Sequence, residues 1–273
     1  MTRIRLCAVV AVFSTMVVVA MACGGASEPI PTAAPRTAAP APTMPAAWDA
    51  SEALLIGTSA DFPPSNFINE RGEIDGFERE LGDELCRRMD VECSWVQNDW
   101  VTIIPNLLAG NYDAIVAGMA ATKERDRQID FTQPYLPDTP SAYVALAGAG
   151  DEAINGKVAV QVNTIQHTYL SDSGITTIIS LPAEDSVEAV RKGDADAVFA
   201  DKAFLQSFVK DSDGELVFVG PEVTFDSDHV GIGVRESDGE LKSRLNAAIR
   251  TMKEDGKLND LIRKWFGEDA ETF

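Results

Sequence analysis

Histidine is nearly missing from this 273-residue chain, with two copies, and cysteine is scarce, with four, so sites built on imidazole or thiolate have little to draw on. Positive charge is also short. Against 43 Asp and Glu stand 23 Lys and Arg, a formal charge of -20, which disfavours a nucleic-acid or anionic-membrane surface. No Gly-rich Gly-Lys-Ser/Thr loop for a nucleoside triphosphate is present, and no internal repeat. Past the N-terminus no apolar run approaches a bilayer span. What remains, 45% hydrophobic and 24% charged residues, suffices to bury a core, as one large domain or two lobes of roughly 100 residues each.

The first 22 residues are expected to be a signal peptide. Arg3 and Arg5 precede an apolar run from Cys7 to Met21, and Ala20-Met21-Ala22 supplies the small residues of a cleavage site. Cys23 follows directly, a junction that resembles a bacterial lipoprotein box whose cysteine is lipidated. Ala20 stands where that pattern usually has Leu, so ordinary cleavage stays open. Residues 23–50 are expected to hold the lipid attachment site and an Ala/Pro-rich tether, since prolines stiffen the segment and almost no bulky side chain could form a core.

The folded body is expected from residue 51. Leu54-Leu55-Ile56-Gly57 reads as a strand, and Ser59-Ala60-Asp61-Phe62-Pro63-Pro64 as the loop at its end, a binding position in α/β sheets. Phe77, Leu81, Leu85 and Met89 recur every four residues on a helix that Asp75 and Glu78 are expected to cap. Cys86 and Cys93, the two cysteines of the folded body, are expected to form a disulfide in an oxidising compartment, and with no histidine nearby they make a poor metal site. Trp100 opens a helix over residues 101–109, and a strand over 112–116 leads into the small-residue loop Ala117-Gly118-Met119-Ala120, with Arg125 beyond it. The second half repeats the logic: strand Val158 to Gln161 runs to Asn163-Thr164-Ile165-Gln166, with a helix beginning over Thr168 to Ser171, and strand Ala195 to Ala200 ends at Asp201. Leu241, Leu245, Ile249 and Met252, then Leu258, Leu261 and Ile262, mark two closing helices.

Together, Ile56-Gly57-Thr58, Gly76-Phe77 with Leu81, Cys86-Arg87-Arg88-Met89 with Cys93-Ser94-Trp95, Asp113-Ala114-Ile115, Thr122-Lys123-Glu124-Arg125 and Asp130-Phe131-Thr132 with Pro134-Tyr135 resemble the polar amino-acid family of solute-binding proteins serving ABC importers, in particular its lysine/arginine/ornithine- and histidine-binding branch. The resemblance implies an α/β, two-lobed periplasmic-binding-protein type II fold with two hinge crossings: residues 51–141 and 230–273 in one lobe, 142–229 in the other. It implies a free polar amino acid between the lobes, with Arg125, backbone at Gly118 and Ala120, and Thr164 on the carboxylate. Asp201 and the Gly118 carbonyl would take the ammonium, Phe62 and Trp100 would bracket the side chain, and Gln166 would keep an amide in the cleft.

Ser59 stands where the lysine/arginine/ornithine binders have an Asp for the distal cation, and Asp61 is a candidate to compensate. Asn66 falls near where some arginine binders have Glu, and Ala120 and Ile165 replace usual hydroxyl residues. The ligand is expected to be arginine or another cationic amino acid, with glutamine or another neutral polar one as the alternative. No cofactor, metal or nucleic acid is implied. The expected partners are the amino acid and the transmembrane subunits of an importer, for a monomer that is extracytoplasmic, either a membrane-anchored lipoprotein or periplasmic. A ligand-binding sensor component would continue into a membrane span and signalling segment past its second lobe, which the end at Phe273 is expected to disfavour. A cyclohexadienyl dehydratase-like lyase would need an acid–base pair that Asp61, Asp201, His167 and His229 do not convincingly supply, so no enzyme is expected.

Overall fold

The apolar run Leu54-Leu55-Ile56-Gly57-Thr58 forms β1 (Leu54–Thr58), with Leu54, Ile56, Gly57 and Thr58 buried and Leu55 exposed. The architecture comes from a computed structural model that describes residues 45–175, 177–225 and 229–273. The signal peptide, Cys23 and most of the tether lie outside the described residues. After β1 come β2 (Asp61–Phe62), β3 (Asn66–Ile68), β4 (Ile74–Asp75), α1 (Phe77–Met89), β5 (Cys93–Gln97), α2 (Ile103–Leu108), β6 (Ala114–Ile115) and β7 (Asp130–Phe131). Next are β8 (Ser141–Leu146), β9 (Val158–Gln161), α3 (Ile165–Asp172), β10 (Ile178–Leu181), α4 (Ala183–Arg191), β11 (Ala197–Asp201), α5 (Lys202–Lys210) and β12 (Leu216–Val223). The chain closes with β13 (Gly233–Val234), α6 (Gly239–Glu254) and α7 (Lys257–Phe266).

The strands sort into two lobes. One sheet has the order β5-β1-β6-β13-β7, the other β10-β9-β11-β8-β12, and β2-β3-β4 form a small third sheet. In the first, β1 runs parallel to β5 and β6, while β13 inserts antiparallel between β6 and β7. The chain therefore crosses from the first sheet to the second between β7 and β8 and returns between β12 and β13, which gives the two-lobed fold its paired hinge crossings.

Each sheet is buried on both faces. Leu54, Ile56, Phe77, Leu81 and Leu85 join Leu245, Ile249 and Leu261 under α1, α6 and α7, and Ile103, Leu107, Tyr112 and Ile115 pack the opposite face. Along β8 the side chains alternate, with Ala142 and Val144 toward α4 and α5, and Tyr143 and Ala145 toward α3. Fully burying one such large apolar side chain contributes about 1.5–3 kcal/mol.

Cys86 and Cys93 form the expected disulfide, their Cα atoms 5.9 Å apart, and tie the end of α1 to the start of β5. The capping of α1 differs from expectation. Gly76 occupies the N-cap at φ 117°, and an added Cβ would lie 2.5 Å from the Ser65 carbonyl oxygen, so the turn requires glycine. Asp75 accepts from the Gly76 N–H at 2.8 Å and from Asn69 at 3.2 Å, while Glu78 turns into the interior. Similarly, α3 starts at Ile165, ahead of the expected 168–171, because the Thr164 hydroxyl accepts from the His167 N–H at 3.1 Å and caps it. Where the chain re-enters the first lobe, Arg235 is 2% exposed, donates to the Tyr112 carbonyl at 2.6 Å, and pairs with Asp113 at 2.9 Å and Asp238 at 2.8 Å.

Candidate functional site

Parallel strands end together, so the loops that follow them gather at one edge of each sheet. The first lobe supplies Ser59 and Phe62 after β1, Trp100 after β5, and Ala117, Gly118, Ala120 and Arg125 after β6. The second supplies Gln161 at the end of β9, Thr164, Ile165 and Gln166 after it, and Phe199, Ala200 and Asp201 from β11. One cavity between the lobes is lined by all of these, together with Asp138 and Thr139 of the first crossing and Phe225 and Val230 of the second. Of the expected site residues, Ser59, Phe62, Trp100, Gly118, Ala120, Arg125, Thr164, Gln166 and Asp201 meet there.

Asp61 does not. Adjacent strand residues point to opposite faces, so with Phe62 on the cavity its neighbour in β2 is directed elsewhere. Burial pushes the Asp61 carboxyl up, Ser59 opposes this and Asp99 adds to it. Glu184, at the start of α4, is raised by its own burial and by Asp61. Asp61 thus stands among other acids, beside the residues that line the cavity.

Arg125 spans the lobes. Its Nη1 donates to the Ala120 carbonyl and its Nη2 to the Asn163 carbonyl of the second lobe, each at 2.8 Å. The guanidinium carbon lies 5.1 Å from the Trp100 ring centre, within cation–π range. Trp100 therefore has the arginine on its ring, and Phe62 stacks on Phe204, so each aromatic expected to bracket a ligand also has a protein partner.

Asp201 stands at the N-cap of α5 yet makes no cap bond. Its Oδ1 accepts from Gln166 Nε2 at 2.9 Å, and the same amide donates to the Ser141 hydroxyl at 2.9 Å. Burial raises the carboxyl to about 6, against the pull of Ser141 and Gln166. A carboxylate held there has lost much of its water and has no cation paired to it among the described residues, which makes it a strong acceptor for an incoming ammonium.

Beneath the first lobe's loops lies a group the sequence reading missed. Glu78, fully buried, accepts from the Gly118 N–H at 2.6 Å, from Asn66 Nδ2 at 2.6 Å and from the Tyr135 hydroxyl. Burial raises its carboxyl, and the three donors work the other way. Asn66 in turn accepts from the Ala60 N–H at 2.7 Å and the Ser59 hydroxyl at 3.0 Å, so it is a support behind the site. The one signal in the sequence was an acid placed directly beside the apolar stripe begun by Phe77. Asp138 and Thr139 were also missed, because they lie on a crossing between two prolines, Pro137 and Pro140, away from any strand-end loop.

The sequence profile of the bacterial extracellular solute-binding proteins, family 3, matches residues 54–268. The L-arginine-binding protein of Pseudomonas aeruginosa is 32% identical over 235 residues, covering 81% of this chain and 90% of that one. The lysine/arginine/ornithine-binding periplasmic protein of Escherichia coli is 30% identical over 230 residues, covering 79% and 88%. Among solved structures, a periplasmic His/Glu/Gln/Arg/opine family-binding protein from Silicibacter pomeroyi in complex with lysine is 55% identical, with a TM-score of 0.77 over 81% of this chain and 100% of that one.

Proposed function

The chain belongs to the bacterial extracellular solute-binding proteins, family 3, and from that premise we propose that it captures a free cationic L-amino acid, arginine or lysine, and hands it to an ABC importer. The carrying observation is the charge inventory of the cavity. Among its described lining residues Arg125 is the one cation, and the acids are Asp201 and Asp138.

An amino-acid zwitterion accounts for one charge of each sign: the carboxylate meets Arg125, assisted by backbone at Thr164 and Ala120, since the Gly118 N–H is held by Glu78, and the ammonium meets Asp201 and the Gly118 carbonyl. One acid, Asp138, is then left over, and it favours a ligand whose side chain is itself positive. Phe62 and Trp100 offer ring faces beside the stem of that side chain. The lysine in the Silicibacter pomeroyi structure and the names of the arginine-binding relatives support the same class.

No bond chemistry is required. Binding shifts an open form toward a closed one, and Arg125 on Asn163 and Phe62 on Phe204 are contacts between the lobes that the closed form holds. In this reading residues 51–141 and 230–273 act as one lobe and 142–229 as the other. The protein works outside the cytoplasm as a monomer, tethered through a lipid on Cys23 or free in the periplasm, and docks on the importer's transmembrane subunits.

A melting-temperature screen of refolded protein against the common amino acids tests the class. A ligand at one hundred times its Kd adds about 2.7 kcal/mol of stability, an easily resolved shift. Arginine and lysine should give the largest shifts; a largest shift with glutamine would move the assignment to neutral polar amino acids, and turnover of prephenate or arogenate would replace transport by a lyase.

A further inference from the structure

We infer that Glu78 is a positioning residue that sets the hydrogen-bond polarity of the cleft, so that Ser59 faces the ligand as an acceptor and selects side chains that carry N–H donors. The inference rests on the proposed amino-acid ligand.

The direction of each bond follows from one acceptor-only group. A carboxylate has no hydrogen to give, so Asn66 must turn its NH2 toward Glu78, with Nδ2 at 2.6 Å. The Asn66 oxygen then faces the other way, where it accepts from the Ala60 N–H at 2.7 Å and the Ser59 hydroxyl at 3.0 Å. Ser59 has a single hydroxyl hydrogen, and the acceptors beside it, the Asn66 oxygen at 3.0 Å and the Asp61 carboxyl, draw it away from the cavity. What Ser59 offers the cavity it lines is lone pairs, which suit an ammonium or guanidinium.

Glu78 also acts on the neighbouring loop. The Gly118 N–H points to Glu78 at 2.6 Å, and in a trans peptide the Ala117 carbonyl must point the opposite way. Ala117 and Gly118 both line the cavity. Two backbone positions with positive φ, Ala60 at 56° and Gly118 at 60°, are thus held by one buried carboxylate, directly or through Asn66. No Lys or Arg pairs with Glu78 among the described residues. A buried, unpaired acid is costly compared with an apolar residue, so a role in fixing direction accounts for its presence better than stability does.

Two substitutions, single and combined, separate direction from mere packing. In Glu78→Gln the new amide carries both donors and an acceptor, and it cannot accept from all three former partners without turning Asn66 over and reversing Ser59. In the double variant Glu78→Gln with Asn66→Asp every bond finds a partner again. The introduced amide accepts from Gly118 and Tyr135 through its oxygen and donates through its NH2 to the new carboxylate at position 66, which accepts from Ala60 and Ser59.

The readouts are calorimetric Kd values for L-lysine and L-norleucine on the full refolded protein, and amide NMR shifts of Gly118 and Ala60 without ligand. We expect Glu78→Gln to weaken lysine at least tenfold, to reduce the lysine-to-norleucine preference, and to move both amide signals; the double variant should restore preference and signals. An unchanged preference in Glu78→Gln, or a double variant that regains melting temperature without regaining preference, overturns the inference. If Glu78→Gln does not fold, the double variant decides it alone, by whether it keeps the wild-type preference. If the wild type binds no amino acid, the amide signals still decide whether Glu78 controls the two loops, and the failure belongs to the ligand assignment.

Discussion

Phe62 lies flat on Phe204, ring centres 4.3 Å apart and planes within 5° of parallel, although the two residues come from different lobes. One ring belongs to β2 of the first lobe and also lines the cavity, and the other is buried in the core of the second. A ligand-lining side chain thereby becomes a latch between lobes. Such a stacked pair contributes about 0.5–1.5 kcal/mol beyond its buried area. Phe62→Leu should weaken ligand binding roughly threefold to tenfold while leaving the urea midpoint of the ligand-free protein nearly unchanged. Small-angle scattering with saturating lysine should show a larger open fraction than in the wild type.

Asp201 sets a pH dependence whose sign differs between ligand-free and loaded protein. Its carboxyl titrates at about 6 when buried without ligand, above the ordinary 3.8. The folded state therefore binds the proton more tightly than the unfolded chain, and this group's contribution to ligand-free stability rises as pH falls from about 6 toward 4. An ammonium needs the charged form, so affinity should fall as pH drops below about 6, approaching tenfold per pH unit. Asp201→Asn should abolish that slope and bind weakly at every pH, as followed by calorimetry between pH 4.5 and 8.

Arg235 is predicted to be a stability residue with no direct part in binding. Arg235→Ala leaves Asp113 and Asp238 without their buried cation, and removing one partner of such a set costs about 3–5 kcal/mol. Urea denaturation should show the loss. The Kd of the remaining folded protein should stay within about twofold, because none of the three lines the cavity.

The disulfide should behave in the same way with a smaller effect. Cys93 pairs in register with Leu54 at the start of β1, the end of the sheet opposite the cavity loops. Replacing Cys86 and Cys93 together by Ser releases a short loop, with a loss of about 2–3 kcal/mol and no change in selectivity. Matched denaturation and binding curves for the double variant check both parts.

Much of the fold could be read from the sequence because it rests on local periodicity. The stripe Phe77, Leu81, Leu85 and Met89 marked the buried face of α1, and the apolar run at Leu54 marked a strand. Trp100, Thr164 and Asp201 stand near the ends of expected strands, Arg125 beyond the loop after another, and the family resemblance marked all four, which share one cavity. Glu78 was misread since Asp75 and Glu78 have the spacing of a capping box, whereas the group that claims Glu78 is the Gly118 amide, forty residues away. Asp61 is a candidate by its closeness in sequence to Ser59, where the distal acid is missing, and strand alternation turns Phe62, its neighbour, to the cavity. Asp138 lies on a crossing, whose path is decided by how two lobes meet and leaves no periodic trace.

A cationic amino acid held between Arg125 and Asp201 is the core of the proposed function. Calorimetric titration of the protein, unfolded and refolded to strip any carried ligand, with arginine, lysine and glutamine tests it most directly. Arginine or lysine is predicted to bind at micromolar Kd or tighter, about 8 kcal/mol or more, with Arg125→Ala and Asp201→Asn each weakening it by about one hundredfold. Absence of binding by every common amino acid, or tight binding that survives both substitutions, would contradict it.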